Sequence, residues 1–220
     1  MLLLGLLVAC APSQPAPVAP SPALEPVIPV VHTDSAAIAQ ARADSLRYPY
    51  TDADVRFMTG MVSHHAQAIT MSLLAPSRDA SPAVQRLASR IINAQVDEIV
   101  TMHQWLADRQ KPVPQVDLDG GHAHHAMMPG MLTDAQMREL AAARGAAFDR
   151  LFLTYMIQHH KGAVQMVKEL FGSWGAGQDE VVFKFASDVN VDQTTEIARM
   201  ESMLEAMSPS PPALQQRNQR

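Results

Sequence analysis

Cysteine is nearly absent: the 220-residue chain has one, Cys10. That excludes a disulfide framework, a thiolate zinc finger and a Cys-ligated iron–sulfur cluster. Positive charge is also scarce. Lys plus Arg is 17 against 22 Asp plus Glu, a formal net charge of −5, so nothing supplies the dense field that nucleic-acid phosphates require. No apolar run is long enough for a mature bilayer-spanning helix. Charged residues are 18% and hydrophobic residues 47%, which excludes a wholly disordered chain. Aromatics are few, and the 14 methionines outnumber the 6 Phe, 2 Trp and 3 Tyr together; there are also 9 His. Methionine in a core is ordinarily filler. Together with imidazole it is also the soft-ligand set that suits copper.

The two ends differ from the middle. MLLLGLLVAC reads as the apolar region of a secretory signal over residues 1–10, and Leu7-Val8-Ala9-Cys10 resembles a bacterial lipobox in which Cys10 is lipidated and becomes the mature N-terminus. No Lys or Arg precedes the apolar run, so the true signal can begin further upstream; the alternative is a cytosolic protein with an apolar start. Residues 11–33 are a Pro-rich linker, an extended and semi-rigid spacer. Residues 208–220 are expected to be a disordered tail. Between them, residues 34–207 carry helix signals and almost no strand signals. The expected helices are 34–47, 52–75, 82–109, 134–143 running into 146–171, and 178–207, with Thr51, Ser81-Pro82 and Thr133 as start signals.

An internal repeat sets the architecture. At a shift of 95 residues, Asp54, Phe57, Thr59, Met61, His64, His65, Ala68 and Met71 fall on Asp149, Phe152, Thr154, Met156, His159, His160, Ala163 and Met166. These 8 identities in 18 positions compare with about one expected from average composition. At a shift of 98, Gln95, Glu98, Ile99, Met102 and Leu106 fall on Gln193, Glu196, Ile197, Met200 and Leu204. Each half is therefore a helix pair, and two pairs make an all-α four-helix bundle with a pseudo-two-fold axis.

On a helical wheel, His64 and His65 straddle the inward arc around Met61, and His159 and His160 do the same around Met156. Four imidazoles thus approach one core from two helices, with Met71 and Met166 farther along the same arcs. This points to metal binding. The second helices add Glu98 and Glu196, beside Met102 and Met200, on otherwise apolar arcs. A carboxylate there needs a partner. It either orients a ligating imidazole, ligates directly, or forms a His–Glu network that only fixes register. Asp54 and Asp149 lie near helix starts and read as structural. A di-iron oxidase bundle would need Glu-x-x-His pairs, where this chain has Met61-x-x-His64 and Met156-x-x-His159. Copper, as Cu(I) or Cu(II), is the expected metal, with zinc possible.

The connection between the halves, 115–132, contains GGHAHHAMMPGM. Its His122, His124, His125, Met127 and Met128 are a compositional metal-binding signal, expected on a flexible tract. His103 is an accessory candidate without a repeat partner.

FMTGMVSHHAQAITM, MPGMLTDAQMREL and FDRLFLTYMIQHHKGAVQM resemble a bacterial family of domains of unknown function, ferritin-like bundles with two M-x-x-HH-x-x-A-x-x-M motifs. Members include periplasmic copper-binding proteins associated with copper resistance. The resemblance implies a metal set of Met61, His64, His65, Met71, Met156, His159, His160 and Met166. The expected function is therefore copper sequestration or transfer by an exported, lipid-anchored envelope protein, touching the membrane through its anchor only, with a copper-handling protein as a candidate partner. The alternatives are a ferritin-like metal-dependent oxidase and a structural or interaction bundle.

Overall fold

The computed structural model describes residues 26–116, 118 and 128–208. Six α-helices follow one another: α1 (Ser35–Arg47), α2 (Asp52–Leu73), α3 (Pro82–Asp108), α4 (Asp134–Ala142), α5 (Gly145–Gly172) and α6 (Glu180–Ala206). There is no strand among the described residues.

The starts are chemically specified. Thr51 and Asp54 form a capping box on α2, with Asp54 Oδ2 accepting from the Thr51 amide at 2.6 Å. Ser81 caps α3 ahead of Pro82, Thr133 and Gln136 box α4, and Asp179 caps α6 through the Val181 and Val182 amides. Two expected boundaries move. The second helix stops at Leu73, and Ala75–Ser77 tighten into a 3₁₀ turn around Pro76, which cannot continue an α-helix. The helix expected to run from 134–143 into 146–171 is two helices, because Arg144 is extended and Gly145 takes φ 55°.

α2 packs along α3, α5 along α6, and α2 faces α5 at the centre. The α2–α5 pair is antiparallel. The rings of His64 and His159 are 3.9 Å apart, while a Cβ at Gly60, one turn before His64, would lie 3.5 Å from Cε of Met166, two turns beyond His159. Two apolar clusters fill the bundle on either side of this crossing. One gathers Phe57, Met61, Met102, Trp105 and Met166, the other Met71, Leu87, Phe152, Met156 and Met200. Each half of the repeat thus contributes thioethers to both clusters.

The halves also strap each other. Asp54 of α2 accepts from the Gly177 amide in the α5–α6 turn at 2.7 Å. Asp149 of α5 accepts from the Ser81 amide in the α2–α3 turn at 3.1 and 3.2 Å. Both carboxylates are buried, and each accepts from a backbone amide of the opposite half as well as sitting near a helix start.

Candidate metal centre

The doubled His-His motif resolves into two kinds of imidazole. His64 and His159, the first of each pair, meet at the α2–α5 crossing with their planes tilted by 40°. His65 and His160, the second of each pair, turn towards the other helix of their own half. There His65 Nε2 lies 2.5 Å from Glu98 and His160 Nε2 lies 2.7 Å from Glu196. The His160 contact is a hydrogen bond; the His65 contact is as close but poorly aligned. All four rings are buried, whereas the Glu98 and Glu196 side chains keep 18% and 22% of their surface. The two carboxylates therefore sit at the rim and the imidazoles behind them.

The ring nitrogens sort further. His64 Nε2 is 3.0 Å from the Pro129 carbonyl. A carbonyl only accepts, so Nε2 carries the proton and Nδ1 presents a bare lone pair. Nδ1 of His64, His65, His159 and His160 all lack a hydrogen-bond partner, as do Nε2 of His65 and Nε2 of His159. Burial holds the His64 pKa down to about 3, reinforced by His65 and His160 and opposed by the Pro129 carbonyl. His159 is lowered well below the usual value, first by burial and then by His64, His160 and His65. Both central rings are therefore neutral at physiological pH. A buried polar atom left unpaired costs about 1–3 kcal/mol, and a domain has only about 5–15 kcal/mol in total. Several such atoms in one place are a heavy burden for packing alone.

Among the described residues no three His, Cys, Asp or Glu side chains converge to hold a cation. Thioethers are the other donors present. Met61, Met71, Met102, Met156 and Met200 are fully buried, and Met166 nearly so, in the clusters on either side of the paired rings. Met128 joins them from the connection, its sulfur 3.3 Å from where a Gly60 Cβ would stand.

That connection corrects one expectation. Residues 128–132 are not a free loop end. Gln67 and Leu132 exchange two hydrogen bonds, Nε2 to the carbonyl at 3.0 Å and amide to Oε1 at 2.7 Å. Gln158 donates to the Gly130 carbonyl at 3.3 Å. A Cβ at Gly162 would fall 2.0 Å from the Pro129 oxygen, so only glycine admits this backbone to α5. His122, His124, His125, Met127 and Cys10 lie outside the described residues. His103 is buried with its pKa lowered chiefly by desolvation and opposed by the Pro114 carbonyl. Asp192 was not singled out by its sequence context. Its carboxyl is raised above the usual range, first by burial and then by the nearby charges of Glu98, Asp188 and Glu196.

A family model for a domain of unknown function, DUF305, matches residues 54–204. The chain belongs to the DUF305 family. A DUF305 crystal structure from Streptomyces coelicolor, described as a secreted protein, is similar at 31% identity and TM-score 0.61, over 70% of this chain and 93% of that one. CopM in its Cu(II)-bound form is similar at 31% identity and TM-score 0.57, over 70% and 97%. CopM in its Cu(I)-bound form is similar at 28% identity and TM-score 0.56, over 71% and 98%. Among curated proteins, an uncharacterised protein of Acanthamoeba polyphaga mimivirus, L153, is 39% identical over 57 residues, 26% of this chain; the match spans 38% of that protein's length. The bundle read from the repeat is thus the DUF305 fold, and copper-bound structures exist within its similarity range.

Proposed function

We propose that this DUF305 chain is an exported copper-binding protein that sequesters copper in the cell envelope or hands it on. The observation that carries the reading is the set of buried, bare imidazole nitrogens at the α2–α5 crossing, bracketed by thioethers. Neutral imidazole and thioether donors with few hard oxygens suit Cu(I) better than zinc. His64 and His159 are the central donors, with Met61, Met71, Met156 and Met166 as the sulfurs within the bundle. Glu196 acts on His160 through Nε2, fixing the tautomer that leaves Nδ1 bare, and Glu98 stands at the equivalent place beside His65. Bound copper supplies a soft electrophile at these donors; the chain's part is to hold them neutral and away from water. The similarity to CopM in two copper-bound forms supports the same reading. Lipidation at Cys10 would keep the protein at the membrane.

The test is an anaerobic Cu(I) titration of the metal-stripped protein against a chromophoric chelator. Beside it run a His64→Leu/His159→Leu variant and a His122→Asn/His124→Asn/His125→Asn variant, with circular dichroism to confirm folding. Loss of tight binding in the first variant alone supports a bundle site. Retention there, with loss in the second, moves copper to the connection and leaves the bundle as its scaffold. The His65–Glu98 and His160–Glu196 pairs also favour a second reading, a purely structural network; an unchanged melting temperature and no copper uptake in the native protein would select it.

A further inference from the structure

Nine large apolar side chains are strongly exposed among the described residues, and all but Val191 lie on segments that meet at one end of the bundle. Contacts define that end. Asp54 reaches Gly177, Trp105 Nε1 donates to Asp179 at 3.0 Å, the Tyr50 ring packs on Trp105 at 5.5 Å, and Thr33 donates to Asp108. The α5–α6 turn there carries Trp174, 100% exposed, beside the contacting rings of Phe171 and Phe183. The end of α1 adds Leu46, 91% exposed, and Tyr48. Cations accompany the aromatics, Arg47 over Tyr48 and Lys111 over Tyr50. At the opposite end, where Asp149 meets Ser81, no described large apolar side chain is strongly exposed.

The N-terminal segment enters at the same apolar end. Ile28 packs against the cluster containing Trp105, Ala176 and Val182, and the described chain begins two residues earlier. We infer that this end is a bilayer-docking tip: Trp174, Phe171, Phe183, Leu46 and Tyr48 insert into the interfacial region of the membrane. The inference rests on the reading of Cys10 as a lipid anchor, and extends it from a tether to an oriented contact. From Cys10 to Pro26 is 16 residues, a reach of at most roughly 55 Å. A tether of that length keeps the tip at high effective concentration near lipid, so a weak affinity suffices. A fully exposed Trp with flanking aromatics and snorkelling cations is the composition of an interfacial belt. With a net charge of −5, the attachment is apolar rather than electrostatic, so added salt leaves it in place.

The experiment incorporates the full-length protein, purified from the membrane fraction, into phosphatidylcholine/phosphatidylglycerol vesicles with brominated acyl chains. Trp fluorescence is read, and Cys10 acylation is scored separately by mass spectrometry. Trp105 is buried, so Trp174 supplies the responsive signal. The expected result is a blue shift and quenching by lipid bromine, unaffected by 0.5 M salt (~4 Å Debye length) and lost in Trp174→Ser. A companion Phe171→Ser/Phe183→Ser variant, with its melting temperature checked, is expected to lose most of the blue shift. Acylated protein whose Trp174 stays open to acrylamide and untouched by bromine overturns the tip while leaving the anchor. Quenching without acylation supports the tip and removes the anchor. Absence of both overturns both. Shielding of Trp174 without vesicles, with a dimer in sedimentation, also overturns the tip and assigns the surface to a second copy.

Discussion

At the residue scale, the separation of roles within each His-His pair is the main finding. Helical spacing places both imidazoles of a pair on the inward arc, but cannot say which faces the other half and which faces its own. The packed helices decide this: His64 and His159 meet each other, while His65 and His160 meet Glu98 and Glu196. A pH dependence follows. In the unfolded chain His64 and His159 take up protons as pH falls through about 6.5. In the folded, metal-free protein His64 stays neutral down to about 3 and His159 is also well below its usual value. Between those limits the unfolded state binds more protons, so these groups make the fold progressively less stable as pH drops from about 6.5 towards 3. The urea midpoint of the stripped protein is therefore expected to be lower at pH 5.0 than at pH 7.5, with a flatter response in His64→Leu/His159→Leu. Equal slopes in both proteins would remove these rings as the cause.

At the element scale, the connection ahead of α4 binds the two halves asymmetrically. Its backbone at Pro129–Gly130 reaches α5 at Gly162 and gives its carbonyl to His64 of α2. Gly162→Ala would drive a methyl group into the Pro129 carbonyl, and α5 has its own backbone hydrogen bonds to keep. The connector is expected to lift off. Overpacking of this kind costs about 1–3 kcal/mol, read as a lower melting temperature together with faster amide exchange over 128–132. Exchange unchanged there would mean that the contact is dispensable. In the sequence the tract reads as flexible because His, Gly and Met dominate it. The glycine within an otherwise regular helical pattern is the signal that a backbone approaches closely, though not which one.

At the scale of the whole molecule, the duplication makes a symmetric prediction. Glu98→Gln and Glu196→Gln occupy equivalent places, and loss of such an outer partner typically weakens metal affinity about 10–100-fold. In the Cu(I) competition titration both variants are expected to fall in that range and to resemble each other, while Glu201→Gln, which only opens the exposed Lys161 pair, leaves affinity unchanged. No change in either variant would confine the two carboxylates to a structural role.

The amino-acid sequence alone determined the helix content, the caps, the doubled helix pair and the candidate donors, because caps and apolar periodicity act over a few residues and a repeat is visible by alignment of the chain with itself. Tertiary structure alone decided which imidazoles touch, which nitrogens are left bare, and that Asp54 and Asp149 reach across to the opposite half. It alone gathered the exposed aromatics of α1 and the α5–α6 turn at one end. The physical reason is common to all of these: they depend on the rotation and crossing of helices packed side by side, set by side chains far apart in the chain, and no local pattern encodes that angle.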